Sequence, residues 1–536
     1  MSRQTCVEFN EQLVCREKDV VTVTVTNEPE SGRHGQCPGS GTVEDPYVVD
    51  WDPDDKSYPY NWSNGRRWLI TLQLALSTLT VAFCSSAITG GLAALAKEMH
   101  CSQEVALLGV SLYVIGFGLG PLVFAPLSEV LGRRPVFLLT YSVLTLFLLG
   151  CALSRNIVAM LICRLFAGIF GSSPLTNASG VVSDIWTPRE RGVASALYAS
   201  APFLGPVLGP LVSGWVAETR LGWRFNFWIM LMCAGFSLVF GFLATPETYS
   251  PVLLRKRAKR LSKASGGQKR YISKHDLLHA RSFRVILRTN MTRPFTFLAT
   301  EPIVLLIALY ISIAYAILYS FFAAFPIVFQ EHRHFSTGQG GLAFLGVGAG
   351  VVIGSALTPI QNRLYWRAMD RSPEGKAPPE ARLYLPMFSA IVLPIGLFWF
   401  AWTTDLPVHY IVPILAGIPI GLGTAQIMIG LTQYLIDTYG IFCASAIAAT
   451  VLLRSILAAV FPLISPPMYK KLGNHWAVTI FACIALACTP IPWLFYKYGA
   501  LIRSKSQYAR HPSVPPTVFS IRDTNATNEK KAQMSV

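Results

Sequence analysis

The sequence predicts an all-α membrane protein whose twelve transmembrane helices form two pseudo-symmetric six-helix bundles. Three observations lead to this prediction. Of the 536 residues, 52% are hydrophobic and 14% are charged, whereas soluble domains carry about 25% charged residues. The apolar residues are gathered in repeated stretches of about 20 residues, which is long enough to cross a bilayer. A basic segment in the middle of the chain separates six of these stretches from the other six.

The excess of positive charge is distributed as in a membrane protein. The formal net charge is +16, which would also suit a protein that binds nucleic acid. However, the basic residues lie between apolar segments and not on one amphipathic face, and the largest cluster is residues 253–288. Lysine and arginine in loops of this kind mark the cytoplasmic side of a membrane protein. We therefore expect the lipid bilayer as a partner, and no nucleic acid.

The eleven cysteines and nine histidines do not indicate a disulfide framework or a metal site. No CxxC pair and no Cys/His spacing typical of zinc occurs. The sequence also lacks HExxH, GxSxG and P-loop motifs, so we expect no metal, no cofactor and no enzymatic reaction. The first 66 residues are polar and do not resemble a signal peptide, so the first span is expected to direct insertion.

Twelve apolar stretches are predicted to span the membrane. Their approximate ranges are 67–92, 104–127, 135–153, 157–182, 192–217, 225–245, 302–329, 339–360, 384–403, 408–435, 442–468 and 476–497. The longest apolar run, residues 295–329, exceeds one span, so part of it is predicted to lie along the cytoplasmic interface.

The distribution of lysine and arginine between the loops predicts that both termini are cytoplasmic. The chain then divides into five parts. They are a largely disordered cytoplasmic tail, 1–66; an N-terminal six-helix bundle, 67–247; a basic cytoplasmic loop, 248–295; a C-terminal six-helix bundle, 296–498; and a cytoplasmic tail, 499–536.

Weak internal similarity predicts that the two bundles are repeats. Residues 126–134 and 359–367 each place an arginine eight residues after a proline. Asp184, after the fourth span, is matched by Asp437, after the tenth. The triplet ASA opens the fifth and eleventh spans. Because these matches occur in the same order in both halves, we predict parallel six-helix repeats.

The stretch GPLVFAPLSEVLGRRPV, residues 120–136, joins the second and third spans. Glu129 ends the second span, a glycine permits a tight turn, and two arginines lie at the cytoplasmic surface. A carboxylate and arginines at this place can pair across the two bundles and separate when the bundles rock. The alternative is a simple topology signal at a turn. The residues of this predicted conformational latch are Gly120, Glu129, Gly132, Arg133 and Arg134.

Two arginines lie within predicted spans, Arg164 in the fourth and Arg454 in the eleventh. A charged residue at the centre of a bilayer costs about 2.5–3.5 kcal/mol on insertion scales, so both are expected to face the interior and hold a partner. The alternative is that the side chain reaches the external interface. Carboxylates occur only at inner helix ends. Glu301 is the first candidate to carry a coupled proton and Asp184 the second, although each could instead belong to a structural ion pair.

The stretch APFLGPVLGPLVSGW, residues 201–215, repeats proline and glycine every fourth residue inside an apolar span. Each proline leaves a carbonyl without its usual helical donor, which a membrane tolerates only where neighbours or water satisfy it. Small residues at this spacing let another helix approach closely. We predict a bent helix pressed against a partner; the alternative is a general GxxxG packing helix. The residues are Pro202, Gly205, Pro206, Gly209, Pro210 and Gly214.

Several of these stretches together resemble a known family. Residues 120–136 resemble the loop 2–3 signature of the major facilitator superfamily, although Ser128–Glu129–Val130 stand where the commonest form has Asp–Arg. ICRLFAGIFGSSP, residues 162–174, is similar to its fourth-helix motif, and residues 201–215 resemble the antiporter motif of proton-coupled exporters. YNWSNGRRW, PETYSPVLLRKRAKRL and TEPIVLLIALY resemble the fungal twelve-span drug:proton antiporters, which export drugs, toxins or polyamines. The resemblance covers about residues 48–510.

This resemblance implies a role for three of the predicted features. The loop after the second helix acts as a conformational latch. Arg164 takes part in proton transfer or in contact with the substrate. The fifth helix packs between the halves and resists leakage while the carrier turns over.

Aromatic side chains supply the expected substrate surface, because aromatic pockets with few polar groups suit flat organic molecules. Tyr315, Tyr319 and Phe322 share one face of the seventh span. The other candidates are Tyr113, Asn177, Trp228 and Gln426. A polyamine would need paired carboxylates at mid-depth, where this chain has arginines, so neutral or weakly acidic compounds are favoured.

The sequence is interpreted as a proton-coupled efflux transporter that exports drugs, fungal toxins or secondary metabolites by alternating access. Polyamine:proton antiport is the alternative. Nutrient import is disfavoured because proton symporters lack the proline–glycine pattern of the fifth helix. Without a nucleotide-binding motif, ATP cannot drive transport directly, so protons are the expected partner. We expect a monomer in the plasma membrane.

Overall fold

The computed structural model describes residues 42, 46–52, 54–187, 190–266, 269–274, 276, 283–372, 377–405, 408–506 and 508–509. Eleven helical segments in this part of the chain are long and apolar enough to cross a membrane. The last, Cys443–Lys505, has 63 residues and is interrupted at Gly473, whose φ is 75°. An unbroken helix of that length would measure about 95 Å, roughly three hydrocarbon thicknesses. Gly473 therefore separates two spans, which gives twelve crossings in the described chain.

The twelve helices follow the predicted order. Helices 1 to 6 are Asn64–Glu98, Gln103–Leu131, Arg133–Leu153, Ile157–Ile185, Arg191–Glu218 and Arg224–Ala244. Helices 7 to 10 are Pro302–Glu331, Thr337–Arg371, Tyr384–Ala401 and Ile411–Tyr439. Helices 11 and 12 are residues 443–472 and 474–505.

Polar residues in the predicted external loops fix where three helices begin. The side chain of Ser102 accepts a hydrogen bond from the N–H of Val105, at the start of helix 2. Asn156 does the same at helix 4, and Ser336 forms a capping box with Gln339 at helix 8. Each of these side chains satisfies a backbone donor that has no partner in the first turn of a helix.

Two helices are interrupted where the sequence disfavours regular helix. Helix 1 leaves the α-helical pattern after Ser86, passes through a 3-10 turn at Thr89–Gly91 and resumes at Leu92–Glu98. Helix 4 breaks at Ser172, two residues before Pro174, because proline cannot donate to the preceding turn. The break in helix 1 leaves carbonyls that need donors from elsewhere.

The two halves repeat the same packing. Helix 1 packs on helix 5, helix 2 on helix 4, and helix 3 on helices 4 and 6. The equivalent pairs of the second half are helices 7 and 11, 8 and 10, 9 and 10, and 9 and 12. The halves meet where helix 2 contacts helix 11 and helix 5 contacts helix 8. This correspondence agrees with the prediction of two pseudo-symmetric six-helix bundles.

The N-terminal segment before helix 1 is more ordered than expected. Tyr47–Val49 forms a strand that pairs in parallel with Tyr271–Ser273, and both lie beside the helix Ser250–Ala264. Asp55 forms an ion pair with Arg257 of that helix. The sequence analysis assigned residues 1–66 to a largely disordered tail. Residues 46–52 and 54–66 are instead ordered, because the segment after helix 6 supplies a strand edge and charges that hold them. Residues 1–41 lie outside the described part.

The ends of the C-terminal bundle also differ from the expected ones. A separate helix, Phe283–Thr300, precedes helix 7, and Glu301 lies between the two. The apolar run 295–329 is therefore divided between two helices, as its length predicted. Helix 12 continues to Lys505, beyond the predicted end of the bundle at residue 498.

Candidate transport site

Arg164 fills the break in helix 1. Its guanidinium donates to the carbonyls of Cys84 and Ser85 at 2.7 and 2.9 Å, and to that of Gly109 at 2.8 Å. Cys84 and Ser85 belong to the last turn before the break, so their carbonyls lack the usual helical donors. The guanidinium also lies 4.3 Å from the centre of the Tyr113 ring.

Arg164 therefore holds helices 1, 2 and 4 together. Its side chain is 0% exposed, and its described partners all belong to the N-terminal half. The expected partner of a buried arginine is present, but it is a set of carbonyls and not an acid. The role in proton transfer or substrate contact implied by the resemblance stays a prediction. The hydroxyl of Ser85, whose carbonyl accepts from Arg164, lies 2.8 Å from the hydroxyl of Tyr319 in the other half.

The small residues of helix 5 press against helix 1. A Cβ added to Gly205 would lie 2.6 Å from the backbone N of Phe83, and one added to Gly209 would overlap Ser86. Pro210 has no N–H, so the carbonyl of Pro206 loses its helical donor. The hydroxyl of Ser86 donates to that carbonyl at 2.9 Å. The predicted close approach and the predicted need for an external donor are both present.

The outer end of helix 5 contacts the opposite half. A Cβ on Gly214 would lie 2.5 Å from the carbonyl oxygen of Thr337, and Gly341 approaches the carbonyl of Pro210 equally closely. The carboxylate of Glu218 accepts the N–H of Gly338 at 2.7 Å. Helix 5 is thus packed between helix 1 and helix 8. Pro202, nearer the inner end, is half-buried.

These contacts lie at the end of the molecule that the predicted topology places outside. The space between helices 1, 5, 7 and 8 amounts to ≈ 20 Å³, lined in part by Phe322, Pro326 and Phe344. A cavity of that size holds about one water molecule. An organic compound cannot pass between the halves at this point in the present conformation.

A hydrogen bond joins the halves at mid-depth. The hydroxyl of Ser85, in helix 1, lies 2.8 Å from the hydroxyl of Tyr319, in helix 7. Tyr319 is 3.4 Å from the hydroxyl of Tyr315, whose ring meets that of Phe203 edge-on at 6.2 Å. Tyr319 also packs edge-on against Phe322. Three of the predicted substrate residues therefore lie together at the junction of the two halves.

Arg454 reaches the same junction from helix 11. Its guanidinium lies 4.7 Å from the centre of the Tyr315 ring. It shares a helix face with Thr450 and Ala458, which are both buried, so it points inward. Its Nε is buried without a hydrogen-bond partner among the described residues. Unlike Arg164, it is a mid-depth cation that the described protein does not satisfy.

The loop after helix 2 is organised by a carboxylate from the end of helix 6. Gly132 adopts φ 107°, and a Cβ there would lie 2.8 Å from the carboxyl carbon of Glu247. Glu247 accepts the backbone N–H groups of Arg133 and Arg134, at 2.9 and 3.3 Å, and those of Thr248 and Tyr249. A carboxylate at the first turn of a helix is favoured by the unpaired donors and the helix dipole.

The arginine side chains of this loop bind within the N-terminal half. Arg133 forms an ion pair with Asp184 at 3.5 Å and donates to the hydroxyl of Ser128 at 2.6 Å. Arg134 donates to the carbonyl of Phe242, and Glu129 is exposed. The expected pairing across the halves is absent from the described contacts, because Asp184 lies nearer to Arg133 than any acid of the other half.

Two further observations place the residues around this loop. The guanidinium of Arg133 stacks on the ring of Tyr249 at 4.9 Å. Burial raises the pKa of Tyr249 to about 12, so the ring stays uncharged near neutral pH.

Gly120 lies further up helix 2, where a Cβ would overlap the carbonyl of Ile169 in helix 4. Gly120 therefore serves helix packing and does not contact the loop.

The C-terminal half repeats the arginine arrangement with residues that the sequence analysis did not identify. Arg382 forms an ion pair with Asp437 at 2.8 Å, donates to the side chain of Asn362 and stacks on the ring of Tyr365 at 3.5 Å. These contacts correspond to those of Arg133 with Asp184, Ser128 and Tyr249. The internal similarity had paired Arg367 with Arg134. Arg367 is exposed and takes part in none of the ion pairs of the described chain.

Glu301 is the buried carboxylate at the inner end of helix 7. It is 3% exposed and accepts a hydrogen bond from the hydroxyl of Tyr439 at 2.9 Å. It belongs to none of the ion pairs of the described residues. Asp184, the second candidate, is held by Arg133. The two predicted proton carriers therefore have different surroundings.

Comparison with known proteins agrees with this architecture. The sequence profile of the Major Facilitator Superfamily matches residues 74–462, which is well over half of the chain. The chain belongs to the major facilitator superfamily. The resemblance drawn from the motifs is thereby confirmed.

Several proteins of this superfamily that are similar to the chain come from fungi. The chain is 48% identical to the MFS-type efflux pump MFS2 of Trichophyton rubrum, over 88% of this chain and 79% of the relative. It is 48% identical to the major facilitator superfamily multidrug transporter mdrA of Aspergillus fumigatus, over 88% and 77%. It is 44% identical to the efflux pump FUB11 of Gibberella moniliformis, over 88% and 79%.

Solved structures of the superfamily share the fold. The proton:xylose symporter XylE aligns with a TM-score of 0.58 at 18% identity, covering 81% of this chain and 97% of the other. The human organic anion transporter MFSD10 aligns with a TM-score of 0.54 at 19% identity, covering 80% and 100%. At these identities the likeness concerns the fold alone.

The remaining predicted substrate residues of this superfamily member lie away from the junction. Trp228 is 37% exposed on helix 6, which is the least buried of the spans, and its role in the site stays a prediction. Tyr113 is buried against Arg164 and donates to the carbonyl of Val81. Gln426 bonds to the hydroxyl of Thr358 within the C-terminal half. Asn177 is buried, and its Oδ1 has no described partner.

Proposed function

We propose that this superfamily member is a proton-coupled efflux transporter that exports neutral or weakly acidic organic compounds by alternating access. The observation that carries the proposal is the similarity over 88% of the chain to proteins named efflux pump and multidrug transporter. We further propose that it acts as a monomer in the plasma membrane with both termini cytoplasmic. The concentration of basic residues in the cytoplasmic loops supports that orientation.

The contacts between the halves support alternating access. On the outer side they consist of close backbone approaches, such as Gly214 against Thr337, and one hydrogen bond from Gly338 to Glu218. Two further hydrogen bonds join the halves, one from the hydroxyl of Ser111 to the carbonyl of Ala459 and one between Ser85 and Tyr319. Contacts of this kind can separate as two rigid bundles rock, because they do not require a helix to unfold.

Glu301 is the proposed carrier of the coupled proton. It is buried, accepts a hydrogen bond from Tyr439 and belongs to none of the ion pairs of the described residues. Asp184 is the second candidate, and it forms an ion pair with Arg133. The loop around Arg133 and Glu247 is proposed to act as the latch on the cytoplasmic side, through contacts that hold helix 3 to helices 4 and 6.

The side chains at the junction support an aromatic, uncharged or acidic substrate. Tyr315, Tyr319 and Phe322 supply rings, and Arg454 supplies a positive charge. Polyamine:proton antiport remains the alternative function, but a polyamine would meet Arg454 without a carboxylate near it among the described residues. Nutrient import is less consistent with the efflux names of the relatives.

The test is accumulation in an efflux-deficient yeast that expresses the full chain. Labelled azole, polyketide and spermidine are compared with and without a protonophore. We expect reduced retention of the azole or the polyketide, restored by the protonophore and by Glu301→Gln. Glu104→Gln, which removes an exposed carboxylate at the outer end of helix 2, is the matched control and should export normally. Export of spermidine alone, or export that ignores the protonophore, would contradict the proposal.

A further inference from the structure

The two arginines within the membrane spans, Arg164 and Arg454, differ in whether the described protein supplies hydrogen-bond acceptors for them. Arg164 donates to three carbonyls and is fully buried within one half. Arg454 is half-buried, and none of the hydrogen bonds or ion pairs of the described residues involves it. A guanidinium at this depth is unfavourable without a partner. The described protein therefore satisfies the first arginine and leaves the second available.

The surroundings of Arg454 resemble a receptor for an aromatic anion. The Tyr315 ring, from helix 7 of the same half, lies 4.7 Å from the guanidinium. Tyr315 in turn meets the ring of Phe203 edge-on at 6.2 Å. Phe203 belongs to helix 5, so the aromatic surface beside the arginine includes a ring from the other half. No ion pair of the described residues brings an acid to this place.

We propose that Arg454 binds the carboxylate of a transported aromatic acid, whose ring packs against Tyr315 and Phe203. This inference rests on the proposed efflux function and adds the chemical class of its preferred substrate. A planar guanidinium donates two parallel hydrogen bonds to a carboxylate, a geometry that a lysine ammonium cannot reproduce. The bound acid supplies the negative partner that the protein itself does not provide.

The position of Arg454 explains why such a substrate would bind between the halves. The residue lies on helix 11 beside Tyr315, and Phe203, which contacts Tyr315, lies on helix 5 of the other half. A compound held between them contacts both halves at once. Its binding is therefore sensitive to their relative position, which alternating access requires.

The experiment measures equilibrium binding of two matched radiolabelled probes, 2-naphthoate and 2-naphthamide, to the full-length protein in nanodiscs at pH 7. The probes share the ring system and differ in charge. We expect the wild-type protein to prefer the acid by about tenfold to hundredfold, the effect of hydrogen bonds to a charged group. Arg454→Gln should remove the preference and leave binding of the amide unchanged. Arg454→Lys should retain part of it.

Lys470→Gln is the matched control, because Lys470 is an exposed cation at the outer end of the same helix. It should keep the wild-type preference. Equal affinity of the wild-type protein for acid and amide, no saturable binding of either probe, or an unchanged preference in Arg454→Gln overturns the inference. Displacement of the acid by equimolar chloride also overturns it, since the site would then be a general anion site. Azole export in yeast together with any of these results would refute the inference and leave the efflux function standing.

Discussion

The close approach of helices 1 and 5 makes a quantitative prediction for Gly209→Ala. The added methyl group would overlap the hydroxyl of Ser86 and lie 2.8 Å from the backbone N of Ala87. Overpacking of this kind costs about 1–3 kcal/mol. Displacing Ser86 also breaks its hydrogen bond to the carbonyl of Pro206, which contributes about 0.5–1.5 kcal/mol. Together these effects amount to about 1.5–4.5 kcal/mol of lost stability.

Gly235→Ala provides the matched control. Gly235 lies within helix 6, and nothing lies within 4 Å of a Cβ added there. Both substitutions gain the same helix propensity of about 1 kcal/mol, so that gain cancels when the two variants are compared. The difference between them therefore reports only the contact with helix 1.

The assay is thermal unfolding of the purified variants, followed by a thiol-reactive dye that labels buried cysteines such as Cys84 as they become accessible. We expect a lower midpoint for Gly209→Ala than for the wild type, and an equal or higher midpoint for Gly235→Ala. Efflux should be impaired only in Gly209→Ala. Equal midpoints for the two variants would refute the inference that helix 5 touches the backbone of helix 1.

Three further predictions concern the latch and the junction. Glu247→Ala should destabilise the protein by about 1–2 kcal/mol, measured by thermal unfolding, because the backbone donors at helix 3 lose their acceptor; a wild-type midpoint would contradict this role. Arg382→Ala should lower the free energy of unfolding by about 1–3 kcal/mol in the same assay, because the half-buried ion pair with Asp437 is lost. Arg367→Ala should change it by less than about 0.5 kcal/mol. Equal effects of the two substitutions would refute the proposed correspondence between the halves. Tyr319→Phe removes the hydrogen bond to Ser85, so the conformation that is open to the outer side becomes more populated. The labelling of cysteines introduced on the outer side should then rise by about twofold to tenfold. Unchanged labelling would show that this bond does not hold the halves together.

The sequence predicted the architecture because the membrane imposes it locally. Each span needs its own apolar stretch, and the loops carry the charge asymmetry, so the order of the helices can be read without knowing their contacts. The separate helix before Glu301 was predictable from the length of one apolar run. The strand Tyr47–Val49 was not, because its partner strand lies more than 200 residues away and both are short.

The candidate site was predicted less completely, because its residues acquire their roles from distant contacts. Arg164 and Arg454 look alike in the sequence, each a single cation in an apolar run. They differ because the α-helix of helix 1 is interrupted beside Arg164, which leaves carbonyls that can accept hydrogen bonds from it. No equivalent carbonyls are described around Arg454. Where helix 1 breaks is not evident from its sequence. Glu247 lay within the recognised stretch PETYSP, but only the fold places it under Arg133.

The correspondence between the halves could have been predicted from helix starts. Arg133 is the first residue of helix 3, and Arg382 comes two residues before helix 9. The sequence analysis instead counted eight residues from a proline, which paired Arg134 with Arg367. That distance is measured along helix 8 and does not include the loop that follows, where Arg382 lies. A search for an arginine at the start of each third helix, with an aspartate at the end of each fourth, would have found both ion pairs.

The hydrogen bonds that join the halves are comparable in size with the energy of one charge in the membrane potential. Among the described residues they are those from Gly338 to Glu218, from Ser111 to the carbonyl of Ala459, and between Ser85 and Tyr319. At about 0.5–1.5 kcal/mol each, these three contribute about 1.5–4.5 kcal/mol. One elementary charge that crosses 100 mV releases about 2.3 kcal/mol, which is of the same size. The charge of one coupled proton can therefore offset a large part of these hydrogen bonds, and a substrate that bridges Arg454 and Phe203 would shift the same balance.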